Sequence, residues 1–315
     1  MTPRRILVTG ANGLVGSAVI EAMKSAGLAV RAATRTGACP GVETVSVGEI
    51  GPDTDWVEAL KGCHTVVHLA GATPNERTSA ADFHRVNVLG TRRLVDAGLA
   101  AHIERLVFVS SVLAVSDRSA SPLDDKTAPA PVSVYGQSKL AAEAEVKRFA
   151  DAGRVGISLR PPLVYDARAR GNFAALLRLA WSGLPLPFGS TRNRRSLIGL
   201  DNLANAIMAA ASSDGLESGA FGLEEGPPLG LADIIIALRK GMRIPPRLVP
   251  VSPQILQTVL KAAGRGTMAQ SLFGNLEVDA ARFRDEYRWA PPHSTRFGLE
   301  RTGREFRAMM QAQTK

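Results

Sequence analysis

Short apolar runs alternate with amphipathic stretches through the first half of the chain. The apolar runs, which are typical of buried strands, lie at 6–8, 29–34, 44–47, 65–70, 105–110 and 155–159. The stretches between them have the periodicity of helices, at about 14–26, 54–61, 79–101 and 134–152. Strands that alternate with helices form a parallel sheet with helices on both faces. We therefore predict a doubly wound α/β fold whose ligands bind beyond the carboxyl ends of the strands.

The second half of the chain has mainly helical patterning, at about 172–182, 201–213, 230–241 and 296–312. It predicts a smaller, mostly helical substrate lobe over residues 166–315, attached to a sheet domain over residues 1–165. Two apolar segments, 197–200 and 220–223, have strand character. We expect the chain to return to the sheet domain near 197–223.

The formal net charge of +9 changes this picture little, because the basic residues are scattered in short clusters. Nucleic-acid binding would favour a basic stripe interleaved with aromatic residues, so an anionic small ligand is the better expectation. Cys39 and Cys63 have no metal-ligand spacing, and we expect neither a metal site nor a disulfide. The sequence shows no signal peptide and no run of 18 apolar residues, which predicts a cytoplasmic protein without a membrane segment.

The first candidate site is the glycine-rich turn Thr9-Gly10-Ala11-Asn12-Gly13-Leu14-Val15-Gly16, which lies between the first strand and a helix ending at Gly27. Glycines at such a turn let the backbone approach a pyrophosphate, which then meets the free N–H groups of the helix. The spacing G-x-x-G-x-x-G predicts a dinucleotide cofactor, and a plain tight turn is the alternative. The predicted contacts are Gly10, Asn12, Gly13, Leu14, Val15 and Gly16.

Other cofactor contacts are expected where later strands end. The second strand ends in Thr34-Arg35, where an acid would favour NAD and a positive residue suits the 2′-phosphate of NADP. Arg35 as a solvated loop residue is the alternative. Glu49 and Ile50 follow the third strand, and the Glu49 carboxylate could accept a hydrogen bond from the adenine amine. Small residues after the fourth strand would let a ring lie against the backbone, at Leu69, Ala70 and Gly71.

A second candidate site combines Tyr135 and Lys139, which are four residues apart and so share one face of a helix. A nearby ammonium favours the phenolate, and we expect it to lower the pKa of Tyr135 and allow general acid/base chemistry. Ser111 ends the fifth strand and could hold a substrate oxygen beside the phenol. Asn87 is a polar residue in an apolar helical pattern and could bridge the fourth and fifth strands.

Together these residues resemble the extended branch of the short-chain dehydrogenase/reductase superfamily, whose cofactor turn reads T-G-x-x-G-x-x-G in a Rossmann domain. The resemblance implies an active site of Asn87, Ser111, Tyr135 and Lys139, with Lys139 also binding the nicotinamide ribose. It places Pro162, in the stretch Leu159-Arg160-Pro161-Pro162-Leu163-Val164-Tyr165, beside the cofactor. It also implies a homodimer formed through the helices at 79–101 and 134–152.

The resemblance extends into the second half, which is similar to nucleotide-sugar epimerases of the UDP-hexose and UDP-N-acetylhexosamine 4-epimerase group. It implies that Asn172 and Arg195 contact a substrate diphosphate and that Leu186 and Pro187 border the nucleobase. An arginine fork also suits phosphate oxygens on physical grounds, although the basic cluster at 192–195 could be surface charge. The family also carries an Arg and an Asp near the nucleotide, where this chain aligns Ala269 and Leu272, with Arg265 close by.

Three functions are therefore expected in order of preference. The first is a UDP-hexose 4-epimerase-like enzyme that keeps its NAD(P) bound. The second is an NADPH-dependent reductase of a small aldehyde or ketone, which the strand end 30–35 also resembles. The third is a non-catalytic NADP(H)-binding regulatory protein, against which the intact Tyr135 and Lys139 argue.

Overall fold

The computed structural model describes residues 4–75, 77–213, 217–262, 264 and 272–313. Within these ranges the main sheet has seven parallel strands in the order β3-β2-β1-β4-β5-β6-β9, and β7 pairs with β8 in a separate small sheet. The strands are β1 (Arg5–Thr9), β2 (Val30–Thr34), β3 (Glu43–Ser46), β4 (Cys63–His68), β5 (Arg105–Val109), β6 (Val155–Arg160), β7 (Leu163–Tyr165), β8 (Leu197–Gly199) and β9 (Gly219–Gly222).

The helices lie on both faces of the main sheet and in the second half of the chain. They are α1 (Leu14–Ser25), α2 (Val57–Leu60), α3 (Ala80–Asp82), α4 (Gly90–Ala100), α5 (Val134–Asp151), α6 (Gly171–Trp181), α7 (Leu200–Ser212), α8 (Leu231–Met242), α9 (Pro253–Ala262), α10 (Ala281–Tyr287) and α11 (Thr295–Gln313). A π-helical segment, Phe83–Leu89, joins α3 to α4, and a 3₁₀ turn, Val112–Ala114, follows β5. Among the described residues, no helix is long and apolar enough to span a membrane.

The α/β fold predicted from the alternating pattern is confirmed, because all six expected strands lie in the main sheet. The two segments expected to return to the sheet domain differ: residues 197–199 pair with β7, and Ile198 packs in a core of the main sheet, whereas β9 joins the main sheet directly. The structure also has helices at 253–262 and 281–287, where the sequence pattern predicts none. The expected helix at 54–61 is shorter because the Thr54 hydroxyl bonds to the backbone of Glu49 and Gly51, leaving only 57–60 helical.

Separate apolar cores hold these layers together. Two lie on the opposite faces of the main sheet, one under α1 and α7 and the other under α4 and α5. Another joins β7 and β8 to helices α6, α8 and α11 and contains Phe173, Leu177 and Leu238. Cys39 and Cys63 are buried thiols, one in each of the two cores on the faces of the main sheet.

Candidate active site

The glycine turn between β1 and α1 is pressed against the loop that follows β4. Gly10 has φ of +66°, and a Cβ at this position would stand 2.8 Å from the backbone N of Ala70. A Cβ on Gly16 would overlap the carbonyl oxygen of Gly10. Side chains at both positions would therefore displace backbone. The absence of these Cβ atoms leaves a cradle of bare backbone, which is what a pyrophosphate requires.

The amino terminus of α1 faces this cradle. Its N-cap is Gly13, no side chain caps it, and its first turn contains no acidic residue. The amides of a helix's first turn have no intrahelical acceptor, and the helix dipole adds partial positive charge there. Asn12 and Gly13 are exposed, whereas Leu14 and Val15 are partly buried. The geometry thus fits a dinucleotide pyrophosphate at the residues that the sequence predicted.

A buried hydrogen-bonded chain connects the turn to the loop after β4. The backbone N–H groups of Leu69 and Ala70 donate to the Thr9 hydroxyl oxygen, both at 3.2 Å. That hydroxyl lies 2.7 Å from His68 Nδ1, and His68 Nε2 lies 3.2 Å from the Thr91 hydroxyl. Thr91 donates its hydroxyl proton to a backbone carbonyl, so its oxygen accepts from His68 Nε2. The imidazole proton of His68 therefore lies on Nε2. These bonds make His68 a structural residue.

Burial, and then the nearby Lys139 charge, lower the pKa of His68 to about 3 from an ordinary 6.5. The unfolded chain therefore binds a proton between these values that the folded chain does not, and stability is lost as pH falls from 6.5 towards 3. We expect His68→Gln to reduce this loss by about 1.4 kcal/mol per pH unit. Thermal unfolding between pH 4 and 6.5 measures it. An unchanged slope in His68→Gln would contradict the account.

Asn87 lies in the π-helical segment and is 2% exposed. Its Oδ1 accepts from the N–H of Ala72 at 2.7 Å, and its Nδ2 donates to the Ala72 carbonyl and, at 3.0 Å, to the Ser138 hydroxyl. The expected bridge between the fourth and fifth strands is therefore wrong. Asn87 joins the loop after β4 to α5 instead, because the π turn directs its side chain towards that helix.

Tyr135 and Lys139 lie on the first turns of α5, which begins after the N-cap Ser133. The Tyr135 ring packs edge-on against Phe83, with centroids 5.7 Å apart. Lys139 is buried, and its Nζ donates to the carbonyl of Val109 at 2.9 Å, at the end of β5. The Lys139 Nζ lies 6.0 Å from the centroid of the Tyr135 ring. The two groups share one helix face, as predicted.

The expected lowering of the Tyr135 pKa is wrong. Burial raises the pKa of Tyr135 to about 12, because the apolar surroundings disfavour a phenolate. Burial also lowers the pKa of Lys139 to about 8. The sequence showed the spacing of the two residues but not how deeply both are desolvated. In this arrangement the Lys139 charge does not offset the effect of burial on the pKa of Tyr135.

Ser111 follows β5, and its Oγ accepts from the N–H of Leu113 at 3.2 Å, which leaves the hydroxyl proton available for another acceptor. The 3₁₀ turn after Ser111 packs closely on α5, since a Cβ on Gly136 would overlap the Leu113 carbonyl. Gly136 therefore lets the turn that carries Ser111 approach the turn that carries Tyr135. Sequence reasoning missed this role, although a glycine inside a helix was a visible signal.

Arg35 and Glu49, which are predicted to contact the adenosine part of the cofactor, are both exposed. The side chains of Arg35 and Glu49 are 74% and 68% exposed, and Arg35 Nη1 lies 4.0 Å from Glu49 Oε1. Arg85 approaches the same carboxylate at 3.8 Å. Thr34 is buried and donates to the carbonyl of Gly37. Of the remaining predicted contacts, Ile50 and Leu69 are partly buried, Gly71 is exposed, and Pro162 is buried between β6 and β7.

The predicted substrate residues occupy different environments. Asn172 is exposed at the start of α6, whereas Leu186 is 4% exposed in the lobe core and Pro187 is partly buried. Arg195 is partly buried and donates from Nη1 to the Gly274 carbonyl, and burial lowers the pKa of its guanidinium.

The rest of the basic cluster at 192–195 does not form one patch, because exposed Arg194 pairs with Glu277. Leu272 packs on the lobe core, whereas Ala269 and Arg265 lie outside the described residues. Across the described ranges, no group of three or more His, Cys, Asp or Glu side chains is arranged to hold a metal ion.

Comparison with protein families decides the classification. A model of the NAD dependent epimerase/dehydratase family matches residues 6–221. The chain belongs to this family. The resemblance to an extended short-chain dehydrogenase/reductase is therefore confirmed, and with it the expectation of an enzyme that uses a nicotinamide cofactor.

Relatives and solved structures cover nearly the whole chain. The sequence is 28% identical over 314 residues to a UDP-glucose 4-epimerase of Vibrio cholerae, and the alignment covers 96% of each protein. The structure of UDP-N-acetylglucosamine 4-epimerase from Bacillus cereus is similar with a TM-score of 0.79 at 21% identity, covering 98% of this chain and 99% of that chain. MoeE5 in complex with UDP-glucose and NAD is similar with a TM-score of 0.76 at 24% identity, covering 97% and 99%. These two structural likenesses show that the fold is shared.

Proposed function

We propose that this family member is a UDP-hexose 4-epimerase-like enzyme that keeps its nicotinamide cofactor bound through the reaction. The observation that carries the proposal is the alignment with the Vibrio cholerae epimerase, which runs through the substrate lobe as well as the cofactor half. A likeness limited to the cofactor half would fit a reductase equally well. We further propose the division at residue 165 between cofactor domain and substrate lobe.

In this proposal each residue of the site has a defined task. Tyr135 accepts the proton of the sugar hydroxyl and later returns it, while the Ser111 hydroxyl holds the same oxygen. Lys139 is anchored on the Val109 carbonyl and orients the nicotinamide ribose. Asn87 fixes the loop after β4 against α5. When bound, an oxidised nicotinamide supplies the hydride acceptor and a positive charge that favours the Tyr135 phenolate.

The substrate lobe would provide the nucleotide site. Arg195 is a partly buried guanidinium tethered through one nitrogen, and burial strengthens its attraction for diphosphate oxygens. Asn172, at the exposed start of α6, would contact the same group, and Leu186 and Pro187 would border the uracil. Thermal-shift measurements with UDP-hexoses and with free hexoses test this. Stabilisation by the nucleotide sugars alone is expected, whereas NADPH oxidation with a carbonyl substrate and no response to UDP-hexoses would favour the reductase.

The cofactor choice rests on Arg35, because β2 is not followed by an acid that could hold the ribose hydroxyls. We expect Arg35→Ala to weaken NADP(H) about tenfold more than NAD(H), as a charge-assisted hydrogen bond to a 2′-phosphate is lost. Isothermal titration with both cofactors measures the difference. The matched control Arg85→Ala removes the other arginine beside Glu49 and should not change the ratio. Equal weakening of both cofactors by Arg35→Ala would remove the phosphate role and leave NAD as the cofactor.

We also propose a homodimer formed through α4 and α5. These helices pack side by side, and charged side chains link them across the surface: Arg92 pairs with Glu145, and Arg148 pairs with both Glu145 and Asp96. Such a preorganised charged surface suits a symmetric partner in which each arginine meets an acid of the other copy. Light scattering of the purified chain in low and high salt tests this proposal, and a monomer in both would contradict it.

A further inference from the structure

A buried carboxylate, Glu143, lies one helical turn beyond Lys139 on α5 and is 8% exposed. Its Oε1 accepts from the Ser110 hydroxyl at 2.5 Å. Arg160, the last residue of β6, donates from Nε to both carboxylate oxygens, at 3.0 and 3.2 Å, and from Nη2 to Oε2 at 2.6 Å. Glu143 therefore connects the ends of β5 and β6 to the helix that carries Tyr135 and Lys139.

Packing alone does not account for this buried ion pair. Desolvation of two charges often outweighs their attraction, so apolar residues of similar volume would serve packing alone at least as well. The ion pair is instead bonded to Ser110, whose two neighbours in sequence belong to the site. Ser110 immediately precedes Ser111, and the carbonyl of Val109, which Lys139 contacts, immediately precedes Ser110. A carboxylate here acts on the backbone that holds the site and on the charge of Lys139.

The surroundings of the Lys139 ammonium determine which effect matters. Nζ is buried, lies 4.6 Å above the centroid of the Phe108 ring and contacts one backbone carbonyl. Burial lowers its pKa to about 8, and the negative charge of Glu143 acts in the opposite direction. The other titratable groups nearby are His68 on β4, whose ring is neutral at pH 7, Tyr135 on α5, and Arg160, which is a cation. Among these groups Glu143 supplies the negative charge.

We propose that Glu143 is a positioning residue that keeps Lys139 protonated at neutral pH and, through Ser110 and Arg160, fixes the strand ends beside it. The Arg160 cation partly offsets the effect of the Glu143 charge on the pKa of Lys139. Glu143 acts through Lys139 and through the Ser110–Ser111 backbone, which it reaches at the Ser110 hydroxyl. The proposed function enters only in giving Tyr135 and Lys139 their catalytic tasks.

The sign of the expected change distinguishes this role from packing. Loss of packing would admit water and move the pKa of Lys139 up, towards that of an exposed lysine. Loss of a neighbouring negative charge moves it down. Glu143→Gln keeps the shape and the acceptor oxygen but removes the charge, and should lower the pKa of Lys139 by about one unit. Arg160→Gln removes the opposing cation and should raise it.

The experiment is an NMR titration of ¹³Cε-labelled lysine in the full chain, with the Lys139 signal assigned by its absence in Lys139→Met. It requires neither substrate nor turnover, so it stands or fails separately from the proposed function. The matched control is Glu145→Gln, which removes another buried carboxylate of α5, one that pairs with Arg92 and Arg148 away from the site. This control should lose stability and leave the Lys139 titration unchanged.

A lower Lys139 pKa in Glu143→Gln and an unchanged one in Glu145→Gln would support the proposal. An unchanged or raised pKa in Glu143→Gln would overturn it, because Glu143 would then have only a packing role. If Glu143→Gln does not fold, the Lys139 pKa is measured in Arg160→Gln instead. It is compared with the Lys139 pKa of Glu145→Gln under conditions in which the two variants are equally stable. A rise in the Lys139 pKa beyond that of the control is then the supporting result, and no rise overturns the proposal.

Discussion

Replacing Tyr135 by Phe should reduce turnover about 10³-fold, because it removes the one hydroxyl assigned to proton transfer. The ring and its edge-on packing against Phe83 remain, so the fold should be unchanged. Cofactor affinity should also be unchanged, since the pyrophosphate cradle and Lys139 are intact. Steady-state rates with a UDP-hexose, together with titration of NAD(H), measure both quantities.

Tyr287→Phe is the matched control for this change. Tyr287 is a buried tyrosine on α10 whose hydroxyl donates to the Glu217 carbonyl at 3.1 Å, outside the candidate site. Its loss should lower the melting temperature and leave the rate intact. Turnover near the wild-type rate in Tyr135→Phe would exclude Tyr135 as the acid/base.

Replacing Gly10 by Ala should weaken cofactor binding by about tenfold or more, equivalent to at least about 1.4 kcal/mol. Two effects combine at this position. The positive φ costs an L-residue about 1–2 kcal/mol, and the new Cβ would stand 2.8 Å from the backbone N of Ala70. The turn and the loop after β4 would have to separate, and both line the predicted pyrophosphate site.

Gly27→Ala is the matched control, because it has the first of these effects without the second. Gly27 has nearly the same φ, +72°, but a Cβ there would meet no atom within 4 Å. It should therefore destabilise the fold by a similar strain energy and leave cofactor affinity unchanged. Melting temperatures and NAD(H) titrations of both variants make the comparison. Equal cofactor affinity in the Gly10 and Gly27 variants would show that close backbone approach at Gly10 is not required.

Much of the fold and the cofactor half of the site could be predicted because the signals are local. The turn from Gly10 to Gly16 lies between a predicted strand and a predicted helix, and Tyr135 and Lys139 have helical spacing. The end of α1 was equally local, since Gly27 has the positive φ that follows a helix. Each of these features depends on residues close together in sequence, so periodicity and glycine positions were sufficient.

What could not be predicted depends on residues distant in sequence. The interaction of Glu143 with Arg160 and Ser110 needs the ends of two strands and a helix to be placed first. The raised pKa of Tyr135 comes from burial by the assembled site, which spacing to Lys139 does not reveal. The π-helical segment that turns Asn87 towards α5 was likewise hidden in a continuous helical pattern.

The most direct test of the account is an NMR measurement of the purified chain with UDP-glucose and no added nicotinamide cofactor. Conversion to UDP-galactose until the two sugars reach equilibrium, with no net oxidation or reduction, is the expected result. Tyr135→Phe should approach this equilibrium about 10³-fold more slowly. No interconversion of UDP-glucose or UDP-N-acetylglucosamine by a folded, cofactor-loaded protein, with NADPH-dependent reduction of a carbonyl compound in its place, would contradict the epimerase function.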